Sequence, residues 1–135
     1  MTASTRFDHI GFTVSNLARS KAFYAAALAP LGIGLVMEVT EEMTGGHAHA
    51  GYGSDGRPWF WLGNGDGWLR GKLHVAFAAP DRATVDAFYK AAIAAGGKDN
   101  GPPGVRPHYH KDYYGAFVLD PDGHNIEAVC HSPQG

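Results

Sequence analysis

The chain repeats itself. Residues 9–32 laid on residues 74–97, an offset of 65, coincide at ten of twenty-four positions. His9 falls on His74, Phe12 on Phe77, Phe23-Tyr24 on Phe88-Tyr89 and Gly32 on Gly97. Five of the matches are alanines, which an alanine-rich chain supplies by composition alone; the His, Phe, Phe-Tyr and Gly matches are not of that kind. Downstream the register slips by two residues, so that Asp55-Gly56 falls on Asp122-Gly123. A period of this length is one supersecondary unit used twice, which confines the chain to folds made of two equivalent halves.

Each copy opens with alternation. Ile10, Phe12 and Val14 fall on one face of a strand, and His9, Gly11 and Thr13 on the other; Leu73, Val75 and Phe77 oppose His74, Ala76 and Ala78. A helix start follows at Asn16 and at Asp81, whose side chains can accept the first free backbone N–H groups. Val85, Phe88, Tyr89, Ala92 and Ile93 then form an apolar stripe at helical spacing, matched by Phe23, Tyr24, Ala27 and Leu28. Gly96-Gly97 and Pro30 to Gly32 close the two helices. Extended segments are expected at about 33–40 and 58–62 in the first copy and 114–119 and 125–130 in the second. Asp55-Gly56 and Asp122-Gly123 suit tight turns between antiparallel strands. The predicted fold class is therefore α+β, two βαβββ modules (about 7–62 and 73–131) in one domain spanning 1–135, with mixed sheets curling around a shared cup. Glycines cluster between Gly45 and Gly71 and between Gly96 and Gly104, which reads as irregular connections bracketing regular elements.

At 135 residues the chain is the size of a single domain. Eleven Lys and Arg against thirteen Asp and Glu give a net charge of −2 with no basic stripe, which argues against nucleic acid as a partner. No apolar run approaches the roughly 20 residues of a membrane span, so a membrane partner is not expected either. Cys130, the one cysteine, cannot form an internal bridge, and no leader-like segment precedes the first strand; the expected location is the cytoplasm. Free sheet edges predict a homodimer.

The positions beside His9 and His74 are small (Gly11, Thr13, Ala76, Ala78), which leaves room on the face that carries them. Glu127 sits in an apolar strand between Ile126 and Ala128, where a carboxylate needs a partner. Should His9, His74 and Glu127 converge, one divalent cation is the simplest partner, and a two-His, one-carboxylate set leaves coordination positions open. The alternative for each is structural: hydrogen-bonded strand histidines and a solvent-facing glutamate.

Asp8-His9-Ile10-Gly11-Phe12-Thr13-Val14-Ser15-Asn16-Leu17, Phe23-Tyr24, Leu73-His74-Val75-Ala76-Phe77 and Leu119-Asp120-Pro121-Asp122-Gly123-His124-Asn125-Ile126-Glu127 resemble the vicinal oxygen chelate superfamily. Glyoxalase I, extradiol dioxygenases, fosfomycin-resistance thiol transferases and metal-free bleomycin-resistance proteins belong to it. The resemblance runs over roughly residues 7–131. It implies metal ligands at His9, His74 and Glu127, one divalent ion (Zn, Ni, Mn or Fe), and a small-molecule substrate that chelates it through adjacent oxygens. The shared chemistry is Lewis-acid stabilisation of an oxyanion.

Departures narrow the branch. The repeat register puts Phe60 opposite Glu127, where glyoxalase I carries a fourth, glutamate ligand, and a phenyl ring cannot coordinate. Ala116 and Phe117 replace the aliphatic-tyrosine pair of extradiol dioxygenases. A glyoxalase- or dioxygenase-like enzyme is the preferred reading, with a thiol transferase of the fosfomycin type and a metal-free antibiotic- or metabolite-sequestering protein as alternatives. His108, Tyr109, His110, Lys111, Tyr113 and Tyr114 form a polar cluster before the penultimate strand. Glu127, His110 and Tyr114 are the candidate catalytic groups, with Tyr113 also within reach; His is the side chain best suited to moving protons near neutral pH. His47 and His49 are placed in the glycine-rich loop, His124 is read as structural, and Trp59 and Trp61 as core or as a substrate wall.

Overall fold

The computed structural model describes residues 7–133, so the ends of the expected domain, residues 1–6 and 134–135, lie outside the described residues. Both modules are present. The first runs β1 (Ile10–Thr13), α1 (Leu17–Leu28), β2 (Gly34–Val39), a four-residue α2 (Glu41–Thr44), β3 (His49–Ser54) and β4 (Arg57–Gly63). The second runs β5 (His74–Ala78), α3 (Arg82–Ala94), β6 (Lys98–Asp99), β7 (Gly104–Val105), β8 (Tyr114–Leu119) and β9 (Asn125–Cys130). Each forms a mixed sheet, in the order β1-β4-β3-β2 and β5-β9-β8-β6, with β7 also pairing β8. In both, the strand before the helix pairs parallel with the last strand, and the other pairs are antiparallel.

The expected signals act locally as physics requires. Asn16 and Asp81 have extended backbones and accept the N–H groups of Arg19 and Thr84, supplying partners that the first helical turn lacks. The Asp55-Gly56 turn takes φ of 54° and 73°, the left-handed pair that a two-residue hairpin needs. Around the second turn Asp120 acts as a hub. One carboxylate oxygen accepts from the backbones of Asp122 and His124, and the other from the buried Tyr24 hydroxyl on α1 at 2.5 Å. Burial and the facing Asp120 carboxylate push the Tyr24 phenol well above its ordinary value.

The glycine-rich stretch departs from expectation. Besides the strand expected near 58–62, the stretch from Gly45 to Gly71 contains β3, whose Ala50 and Tyr52 enter the core while Gly51 lies under the Trp61 indole. A Cβ on Gly51 would stand 2.8 Å from Trp61 Cη2, so glycine here serves close packing, not flexibility. In the second module the equivalent of β3 is β8, and the edge strand equivalent to β2 is broken into β6 and β7 by Gly101 and Pro102-Pro103.

One apolar core joins the modules. Phe23, Tyr24 and Leu28 from α1, Val85, Phe88 and Ala92 from α3, Phe60 and Leu62 from β4, and Val118, Ile126 and Ala128 from the second sheet belong to it. Phe60 meets Phe77 at 5.3 Å between ring centroids, which ties the two sheets. The faces that meet inside one chain are thus the helix-covered ones. On the opposite faces Gly11, His74, Ala76 and Ala78 stay exposed. Among the described residues no helix is long and apolar enough to cross a membrane.

Candidate functional site

Strand alternation decides what each open face carries. On the second sheet, Ala76 pairs with Glu127 and Glu127 with Phe117, so these three project to the same side as His74. Glu127 has no exposed surface. Its Oε1 lies 2.7 Å from His74 Nε2, and its Oε2 accepts the Tyr113 hydroxyl. Gly115, next on β8, keeps this arrangement open: a Cβ there would lie 3.1 Å from the Tyr113 ring and 3.3 Å from Glu127 Oε2. Burial, reinforced by the Glu127 carboxylate, pushes the Tyr113 phenol far above its usual range, so at neutral pH it is a hydrogen-bond donor. His74 is half exposed, its ring 6.2 Å from that of Phe117.

On the first sheet, His9 stands just before β1, its side chain 60% exposed, with Nδ1 2.7 Å from Asp8. That hydrogen bond lowers the Asp8 carboxyl below its ordinary value. Gly11, Thr13, His49, Trp61 and Gly63 line an open groove of about 680 Å³ beside it. His9 does not join His74 and Glu127 within one chain: among the described residues no three His, Cys, Asp or Glu side chains form a cluster able to hold a metal. His9 and His74 both border one cavity of about 750 Å³, but the buried Glu127 does not line it.

Several candidate residues stand elsewhere than the sequence suggested. Phe60 is not the counterpart of Glu127. Ile10 pairs with Phe60 as Val75 pairs with Ile126, so Phe60 matches Ile126 in the core, and Trp61, opposite Gly11, holds the position equivalent to Glu127. Indole does not coordinate metals any more than phenyl does, so the first module still offers no fourth carboxylate there. Tyr114 points to the helix side, where its hydroxyl donates to Asp86 on α3 and Arg82 covers its ring. Tyr113, one residue earlier, is the tyrosine that addresses Glu127, and alternation from Glu127 through Phe117 and Gly115 was the signal for it. His110 is exposed in the loop before β8, its Nδ1 accepting from the Asp112 backbone and its ring 5.8 Å from that of His131. His108, Tyr109 and Tyr113 continue this row of rings toward the site. His49 opens β3 instead of lying in a loop; His124 is fully buried, edge-on to Phe12.

Comparison with known proteins agrees with this architecture. A glyoxalase/bleomycin resistance protein from Albidiferax ferrireducens T118 superposes with a TM-score of 0.75 at 32% identity, over 92% of this chain and 97% of that one. Glyoxalase I from Zea mays gives 0.68 at 24% identity over 92% of this chain, which spans 44% of the maize protein. A genomically encoded fosfomycin resistance protein from Listeria monocytogenes, bound to Mn(II) and 1S,2S-dihydroxypropylphosphonic acid, gives 0.66 at 18% identity over 98% and 93% of the two chains. No curated protein matches the chain. The sequence profile of the family matches residues 6–128, and the chain belongs to the glyoxalase/bleomycin resistance protein/dioxygenase superfamily.

Proposed function

We propose that the protein is a homodimeric, metal-dependent enzyme acting on a small substrate that chelates a divalent ion through vicinal oxygens. Glu127 carries this reading. This fully buried carboxylate has, among the described residues, only His74 and Tyr113 as hydrogen-bond partners. Buried charge is costly unless paired, and an imidazole and a carboxylate oxygen brought together suit a divalent cation. His74 and Glu127 would hold it, with His9 of a second copy as the third ligand, because the repeat makes His9 the equivalent of His74 on the other module's open face. Zn, Ni, Mn and Fe all accept this donor set. When bound, the metal supplies Lewis-acid stabilisation of an oxyanion on the substrate.

The chain's own residues would do the rest. Tyr113 donates to Oε2 and so directs Oε1 toward His74. Phe117 and Tyr113 shield the carboxylate from water. His110, with Nδ1 engaged by the Asp112 backbone, has Nε2 left to exchange a proton with substrate. Trp61 presents an apolar surface where a second carboxylate would stand. A glyoxalase-type isomerisation of the methylglyoxal–glutathione hemithioacetal is therefore not expected with Ni²⁺, Zn²⁺, Mn²⁺ or Fe²⁺, and robust turnover would refute that narrowing.

Metal analysis of protein purified without chelators or a metal-affinity tag tests the main reading. One ion per chain is expected, with affinity lost in Glu127→Gln while the circular dichroism stays native. A wild-type protein that neither contains nor binds a divalent ion would overturn it and favour a sequestering protein using the groove beside Trp61.

A further inference from the structure

Arg106 extends the same open face, and the role assigned to it rests on His74 and Glu127 holding a metal ion. Val105 pairs with Tyr114 and the Arg106 N–H donates to the Tyr113 carbonyl at 2.7 Å, which sets Arg106 across from Tyr113. Its guanidinium lies over the Phe117 ring, 5.4 Å from Cζ to centroid, and Phe117 is the register partner of Glu127. Two glycines make the seat. A Cβ on Gly104 would stand 2.9 Å from Nη1, and one on Gly101 3.2 Å from Nη2.

A guanidinium has five N–H donors, and among the described residues this one makes a single hydrogen bond, from Nη2 to the Pro102 carbonyl at 2.6 Å, and no salt bridge. A half-buried cation held in place by an aromatic ring and two glycines, with its donors unspent, is organised for a bidentate anion. We propose that Arg106 binds an anionic oxygen group, a carboxylate or a phosphoryl or phosphonyl group, at the end of the substrate remote from its chelating oxygens. Both ends border the Phe117 ring, which lies 5.4 Å from Cζ of Arg106 and 6.2 Å from the His74 ring. They are thus at most about 12 Å apart, a span that a short carbon spacer at about 1.5 Å per bond can bridge. The substrate class is thus a small acid with a vicinal-oxygen head, not a neutral chelator.

Two hydroxamates with the same chelating head test this on Mn²⁺-loaded protein by titration calorimetry: acetohydroxamate, which is neutral beyond the head, and succinic acid monohydroxamate, which adds a carboxylate two methylenes away. The wild type should bind the second at least about tenfold more tightly. That excess should vanish in Arg106→Gln and in Gly104→Ala, which keeps the charge but displaces the guanidinium, and survive in part in Arg106→Lys. Equal binding by the wild type, or an excess that persists in Arg106→Gln, overturns the proposal. A metal-free arm separates it from the metal reading: titrating inorganic phosphate should shift the Arg106 Nε–H resonance saturably, with the signal assigned by its loss in Arg106→Lys. An unmoved resonance counts against Arg106 whatever the metal does. A saturable shift in a protein that binds no Mn²⁺ upholds the anion site and removes the metal-dependent function.

Discussion

Separate variants that each destroy the proposed centre should repair one another when combined. His9→Ala removes a ligand from one module and Glu127→Gln removes one from the other. Loss of a residue that merely supports a metal ligand lowers affinity ~10–100-fold, so loss of a ligand itself should exceed this and each variant alone should be nearly metal-free. If each site takes His9 from one chain and His74 with Glu127 from the other, a heterodimer of the two variants has one site with both defects and one with neither. Random pairing makes about half the dimers mixed, so the refolded mixture should hold about a quarter of the wild-type metal. Heterodimer isolated by two different tags should hold about half. The assay is metal stoichiometry by mass spectrometry after gel filtration, with the unmixed variants as baselines. A site closed within each chain gives no recovery, because every such site carries its own defect. Baseline metal in the purified heterodimer, or wild-type affinity in His9→Ala, would refute the shared centre.

Tyr113→Phe deletes the donor to the buried Glu127 Oε2, so it should cost about 1–3 kcal/mol of stability and weaken metal binding ~10–100-fold; unaltered affinity in a chelator-competition titration would remove Tyr113 from the site. Gly51→Ala places a Cβ 2.8 Å from Trp61 Cη2 and 2.9 Å from Pro58 Cβ, so it should shift tryptophan emission and cost about 1–3 kcal/mol; unchanged emission and stability would contradict the packing. Tyr24→Phe leaves a buried Asp120 oxygen without its donor at 2.5 Å, and at pH 7 should cost about 1.5–3 kcal/mol in denaturant unfolding, whereas a loss under about 0.5 kcal/mol would deny that hydrogen bond a role. Because the folded Tyr24 phenol titrates above its unfolded value near 10, its contribution is complete below that pH and declines above it, so the gap between wild type and Tyr24→Phe should narrow from pH 10 to pH 11.

The features readable in the sequence are those that a few neighbouring residues decide. Asn16 and Asp81 cap their helices because a short side chain before an apolar stripe has a nearby N–H to meet. Asp55-Gly56 makes its turn because two left-handed residues are wanted in succession. Errors arise where a third element intervenes. Gly51 looks like a loop residue until the indole that covers it is known. Phe60 looks like the mate of Glu127 when the turns are aligned as if the strands after them had equal length. The first module has one residue more: the β3–β4 register passes from Tyr52 opposite Phe60 to Gly53 opposite Pro58, leaving Trp59 as a bulge. That single insertion moves Trp61 onto the open face. Tyr114 is a parity error of the same size, since one step along β8 exchanges Glu127 for Asp86 as the hydroxyl's partner.

Convergence of His9 with His74 and Glu127 is a different matter, because no local signal decides which faces of two repeated modules meet. Both modules have an apolar helix side and an open side on which small residues adjoin one large ring, Trp61 in the first and Phe117 in the second. The helix sides offer Phe23, Tyr24, Leu28, Val85, Phe88 and the Phe60–Phe77 contact, more apolar surface than Gly11, Ala76, Ala78, Trp61 and Phe117 can bury. The chain therefore joins the helix sides. In the proposed two-fold dimer the open faces, with His9 on one and His74 and Glu127 on the other, would be covered by a second copy, each face of one chain meeting the opposite module of its partner. A symmetric repeat that cannot close on itself through its open faces would in this way make the metal centre depend on assembly, so dilution below the dimer's dissociation constant should release metal in step with the appearance of monomer. Metal retained by a monomer separated at high dilution would break that link.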